Sequence, residues 1–156
     1  MLYDVGKIDA FYNGARGQMV AKLLREDLSN IWDTSKTASN LAVGFPFYFF
    51  PEGIICPVLM PTEIGGMAWA YEQEIYTAII DSKSWPLESD SIDCILISHA
   101  LEFIPDHHSF LMEAGRVLKS AGKLILMAPH RHGLWSRAET TPFGHGTPFS
   151  KGQIFR

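Results

Sequence analysis

Between Asp81 and Ala128 the chain reads DSKSWPLESDSIDCILISHALEFIPDHHSFLMEAGRVLKSAGKLILMA. The short apolar run from Ile92 to Ser98 predicts a buried strand. The stretch from Pro105 to Ser120 predicts a helix with Phe110, Leu111, Ala114, Val117 and Leu118 on one face. Pro105 near its start and Gly122 beyond its end fit the usual chemistry of helix termini. A second apolar run, Leu124 to Met127, predicts another strand. Strand, helix and strand without a tight hairpin turn define a parallel βαβ unit. Ligands in such sheets bind beyond the carboxyl ends of the strands. The residues following Ile80 and Ile97 are therefore the first candidates for a functional site.

Upstream, Ile8 to Trp32 has a helical period carried by Phe11, Ala15, Met19, Leu23, Leu24, Leu28 and Ile31. Gly14 and Gly17 predict a break or a frayed start within it. Leu41 to Val43 is a short strand entering the aromatic segment GFPFYFFPEG, where Pro46 and Pro51 forbid a long regular element. Ile54 to Met60 reads as a strand that Pro57 demotes to an edge or a bulge. Pro61 to Gln73 is a loop or a short turn of helix, and Tyr76 to Ile80 a further strand.

With 156 residues, 47% of them hydrophobic and 19% charged, the chain is long enough to bury one core. It is expected to be a single domain over 1–156, with 1–40 an N-terminal helical cover and 129–156 an extended tail. A net charge of −4 supplies no electrostatic reason to bind nucleic acid. Residues 38 to 60 interleave no Lys or Arg among their aromatics, which a base-stacking platform would need. The N-terminus lacks the charge and apolar pattern of a secretory signal, and no apolar run reaches the ~18 residues of a membrane helix. Cys56 and Cys94, each inside an apolar run, read as buried thiols. The expected location is cytoplasmic.

Three segments in order, Asp81-Ser-Lys-Ser-Trp-Pro-Leu, Asp90-Ser-Ile-Asp93 and Arg116-Val-Leu-Lys-Ser-Ala-Gly122, resemble the second half of a class I S-adenosylmethionine-dependent methyltransferase of the type 11 kind. The resemblance implies a three-layer, Rossmann-like α/β fold with a parallel sheet in the order 3-2-1-4-5, the last two strands of the family's sheet being missing. It implies methyl transfer from S-adenosylmethionine to an unknown acceptor. By position, Gly44, Met60, Asp81, Ser82 and Ser98 would line the cofactor site, and His99 would be the catalytic base. Of the family's glycine-rich turn only Gly44 is present, followed by Phe45 and Pro46, so Phe45 or Phe47 is expected to project into the cofactor's volume. Leu59-Met60-Pro61 stands where the ribose-binding acid is expected, with Glu63 a few residues later as a substitute.

Each of these residues also has a structural reading. Asp81 can cap the loop it opens, and His99 can be a packed histidine bonded to backbone. Glu102 is a second candidate beside His99. Glu113 and Arg116, three apart on the helix, read as a surface pair. His107, His108, His130, His132 and His145 match no zinc signature, so no metal is expected. The departures from the family pattern support a second function class, a catalytically inactive methyltransferase-like module that binds another protein. The tail from Pro129 onward has little periodicity beyond one helical turn at Leu134 to Ala138. An uncovered last strand and the aromatic segment Phe45 to Phe50 predict a homodimer.

Overall fold

The computed structural model of the chain describes residues 5–32, 35, 37–68, 70, 71 and 74–130. Two helices, α1 (Val5–Asn13) and α2 (Ala15–Ile31), precede β1 (Asn40–Gly44) and β2 (Val58–Pro61). The short strands β3 (Ala70–Tyr71) and β4 (Glu74–Ile75) follow, then β5 (Thr77–Ile80), β6 (Ile92–Ser98), α3 (His107–Val117) and β7 (Leu118–Met127). The helical turn expected at Leu134 to Ala138, His132, His145 and the rest of the tail from 131 onward lie outside the described residues.

Five strands form one sheet in the order β5-β2-β1-β6-β7, every pair parallel. This is the expected 3-2-1-4-5 order counted over the strands of the main sheet. Side-chain alternation divides the core between its two faces. Ala42, Val58, Met60, Cys94 and Leu96 pack with Ile8, Tyr12, Ala21 and Leu28 of the α1–α2 layer. Leu41, Val43, Leu59, Ile95 and Ile97 pack with Phe110, Ala114 and Val117 of α3 on the other face. The result is a three-layer α/β domain. Both cysteines are buried thiols outside any disulfide, and burial pushes Cys56 up to about 12.

The predicted break in the first helix is present. Gly14 is extended at φ −77° and ψ 158°. A Cβ on Gly17 would stand 2.1 Å from the Phe11 carbonyl oxygen, so its hydrogen lets α1 fold closely against α2. The buried face of α2 differs from the expected one. Gly17, Ala21 and Leu28 are buried, whereas Met19 and Leu23 are 63% and 56% exposed. Apolar period alone picked the bulkier stripe, but close helix packing selects the small residues.

Pro57 does not make β2 an edge strand, since β2 lies between β1 and β5. The proline sits just before the strand, where its missing N–H costs no ladder bond, and its carbonyl accepts from Ala42 N at 3.0 Å. Within the expected loop Pro61 to Gln73, β3 begins a two-stranded antiparallel ladder with β4. Helix α3 is shorter than predicted. Asp106 caps its start by accepting from Ser109 N at 3.1 Å, and extended backbone at Leu118 ends it. The strand then starts earlier than expected, passing through an irregularity in register opposite Ile92 and Cys94. Among the described residues no helix is long and apolar enough to cross a membrane.

Candidate active site

The carboxyl ends of β1, β2, β5 and β6 carry two clusters of polar side chains. At the β1–β6 end, Gly44 has φ +96°, and a Cβ there would lie 2.1 Å from the Ser98 carbonyl oxygen and 2.9 Å from Ala100 Cβ. Only glycine combines that backbone with that approach. Phe45 N donates to Ser98 O at 2.7 Å, and Ser98 Oγ donates to Phe45 O at 2.9 Å. Ser98 is fully buried and serves this junction. Phe45 is also fully buried, its ring edge-on to Phe47 and stacked near Tyr12 and Tyr48.

The first cluster follows β6. His99 adopts φ +48°, a left-handed conformation uncommon for a residue with a side chain and frequent at functional positions. Its backbone N–H donates to Met127 O at 3.1 Å. Its ring lies between two partners, Glu102 Oε1 at 3.2 Å from Nδ1 and the Tyr12 hydroxyl at 2.8 Å from Nε2. Burial, reinforced by the charge of Glu102, pushes the Tyr12 phenol up, so it keeps its proton. Because an ionised Glu102 can only accept, Nδ1 carries the proton toward it, and in the neutral ring Nε2 accepts from the Tyr12 hydroxyl. A base oriented by a carboxylate is the arrangement that general-base chemistry uses. Tyr12 escaped sequence reasoning, because nothing local links a residue of α1 to a histidine 87 positions later.

The second cluster lies at the ends of β2 and β5. Because β2 runs through Pro61, Glu63 stands just beyond its carboxyl end. Glu63 Oε1 accepts from Ser82 Oγ at 2.6 Å, and Ser82 is buried. Asp81, exposed at the end of β5, accepts from Lys83 N at 2.8 Å through Oδ1, the loop-capping bond that its structural reading anticipates. Met60 faces the α1–α2 layer, fully buried, its sulfur accepting from Met67 N at 3.1 Å.

Loop 82–91 is stapled to α3 through the Arg116 guanidinium. Arg116 donates to Glu113 Oε1 at 2.7 Å and Oε2 at 2.8 Å, to Leu87 O at 2.9 Å and to Trp85 O at 3.1 Å. Trp85 N in turn donates to Glu113 Oε2 at 2.8 Å. The Arg116 bonds pull the Glu113 carboxyl down to about 2. The pair expected on the surface is thus a clamp that fixes the loop following Asp81 and Ser82.

A parallel sheet in this order, covered by helices on both faces, has the architecture of class I methyltransferases. Residues 68–126 match the family model described as a methyltransferase domain, type 11. Over that stretch the chain is similar to type 11 methyltransferases, and its fold is the Rossmann-like one of class I methyltransferases. Among solved structures it is similar to an S-adenosylmethionine-dependent methyltransferase from Thermotoga maritima, described as a possible histamine N-methyltransferase. The two are 17% identical with a TM-score of 0.65, over 97% of this chain and 73% of that one. A methyltransferase from Archaeoglobus fulgidus is 13% identical at a TM-score of 0.57, over 86% and 65%. One from Aquifex aeolicus is 14% identical at 0.51, over 83% and 74%. Of two other matched structures the chain spans 52% and 59% of the length. Comparison with curated proteins finds no match.

The donor set fits the nucleoside end of S-adenosylmethionine. Carboxylates beyond adjacent strands can accept from ribose hydroxyls and from an adenine amine, and Glu63 and Asp81 stand beyond two adjacent strands. The Cβ direction of Gly44 is filled by the Ser98 carbonyl and Ala100.

Proposed function

We propose that the chain is an S-adenosylmethionine-dependent methyltransferase whose acceptor site lies beyond β6. The observation that carries this reading is the coupling of the β2 and β5 ends, where Ser82 bonds Glu63 at 2.6 Å next to Asp81. Glu63 and Asp81 would hold the ribose and adenine, with Ser82 fixing the rotamer of Glu63. Gly44 would stand beside the methionine part. The bound cofactor supplies an electrophilic methyl group on sulfur. His99 removes a proton from the acceptor, and Glu102 stabilises the imidazolium that forms. Transfer of this kind depends mainly on positioning. The rigid carboxyl ends of β1 and β6, locked by the Phe45–Ser98 bonds, provide the fixed frame.

The test is binding of S-adenosylhomocysteine to the full chain and to Asp81→Ala and Glu63→Ala. Loss of a charge-assisted hydrogen bond weakens binding by about 1–3 kcal/mol in each variant. Unchanged affinity in both would remove these residues from the site. The second reading, an inactive module that binds another protein, is favoured by one observation, the complete burial of Phe45 under Tyr12 beside Gly44. A methyltransferase fold whose glycine turn is filled from within would bind no nucleoside.

A further inference from the structure

Glu102 is a buried acid that is only half partnered in the described structure. Its side chain is 1% exposed. One oxygen accepts from His99, and the other, Oε2, is buried with no hydrogen-bond partner among the described residues. A buried carboxylate oxygen without a donor is costly, so such a group marks a place where a donor is supplied from outside. No described basic side chain fills the role. Lys83, Lys119 and Arg116 pair with Asp106, Asp93 and Glu113. Arg25 and Lys123 donate to the carbonyls of Tyr48 and Ile31, and Lys7, Arg16 and Lys22 are exposed on the helices.

The surroundings of His99, to which the carboxylate is bonded, point to the kind of donor. The rings of Tyr12 and Phe49 each centre 5.7 Å from the His99 ring and 4.8 Å from each other. Phe45 and Tyr48 stack behind Tyr12. An anion bonded to a histidine that aromatic rings flank is chemistry that suits an ammonium group, since rings attract a cation and the carboxylate accepts its N–H. A neutral hydroxyl would meet one acceptor and gain nothing from the rings.

From this arrangement we infer that the methyl acceptor is an amine, bound through its N–H to Glu102 Oε2 among Tyr12, Phe49 and His99. The inference rests on the methyltransferase reading for its purpose, though amine binding itself does not require the cofactor. Helix α1 covers the site. It is nine residues long, ends at the Gly14 break, and is held by Tyr12 on His99 and by the Tyr48 hydroxyl on Asp9 at 2.7 Å. Entry of the amine exchanges the Tyr12 bond.

The test is a calorimetric titration of the full chain with a panel of primary amines and the alcohols of the same carbon skeletons. It is run with and without S-adenosylhomocysteine. At least one amine is expected to bind about tenfold or more tightly than its alcohol. Glu102→Gln, which keeps the shape of the side chain, abolishes that preference. Glu102→Asp, which keeps the charge, retains part of it and controls for misfolding of the amide variant. The inference is overturned if no amine exceeds its alcohol, or if Glu102→Gln melts as the parent does and keeps the preference. S-adenosylhomocysteine binding without amine preference would sink the amine and leave the methyltransferase reading standing. Amine preference without nucleoside binding would do the reverse.

Discussion

The Tyr12 hydroxyl lies 2.8 Å from His99 Nε2 and joins α1 to the turn after β6 across 87 residues of sequence. Both side chains are almost wholly buried, so the bond forms in a low-dielectric setting where an unmet partner is expensive. Replacing Tyr12 by Phe keeps the ring contacts and removes only the donor. The variant should lose about 1–2 kcal/mol of stability, read from the midpoint of urea unfolding. An unchanged midpoint would mean that α1 is held by ring packing alone.

Gly44→Ala should be among the most damaging single-atom additions in the chain. The new Cβ would meet the Ser98 carbonyl oxygen at 2.1 Å with φ at +96°, so β1 and β6 must separate or the backbone must turn. A loss of at least about 2 kcal/mol is expected. Hydrogen exchange should show loosened protection at Phe45 N, which donates to Ser98 O. A variant as stable as the parent would contradict the close approach described for this turn.

Acid sensitivity follows from the α3 clamp. The carboxyl of Glu113 falls from an ordinary 4.5 to about 2, chiefly through its bonds from Arg116. A depressed carboxylate contributes stability above its unfolded value and loses it as pH falls toward its folded one. Stability should therefore decline between about pH 4.5 and pH 2. Glu113→Gln should flatten part of that decline while lowering stability at neutral pH. Asp106, drawn down to about 2 by its bonds from Ser109, leaves a residual slope in the variant. Denaturant midpoints measured across this range for both proteins check the sign, and parallel curves would contradict it.

Much of the sheet was legible because its signals are local. Ile92 to Ser98 is a strand with the predicted bounds, since a continuous apolar run between polar turns has few alternatives. Gly14 marked the helix break for the same reason. Signals that depend on tertiary contact were not legible. Met19 and Leu23 looked like core until the close approach at Gly17 set the buried face of α2. Pro57 looked like an edge marker because its distance from the ladder cannot be read along the chain. The polar ends of the strands were visible as candidates, but the partners that define them were not. Ser82 meets Glu63 and Tyr12 meets His99 only when the parallel order brings separate segments side by side.

The central claim is that the carboxyl ends of β1, β2 and β5 form a nucleoside site, and calorimetric titration of the full chain with S-adenosylhomocysteine tests it most directly. Saturable binding of one ligand per chain is predicted, weakened in Asp81→Ala and Glu63→Ala and retained in Glu102→Gln. No heat of binding at millimolar ligand, from a protein that melts cooperatively, would contradict the claim and leave the inactive module as the reading of this fold.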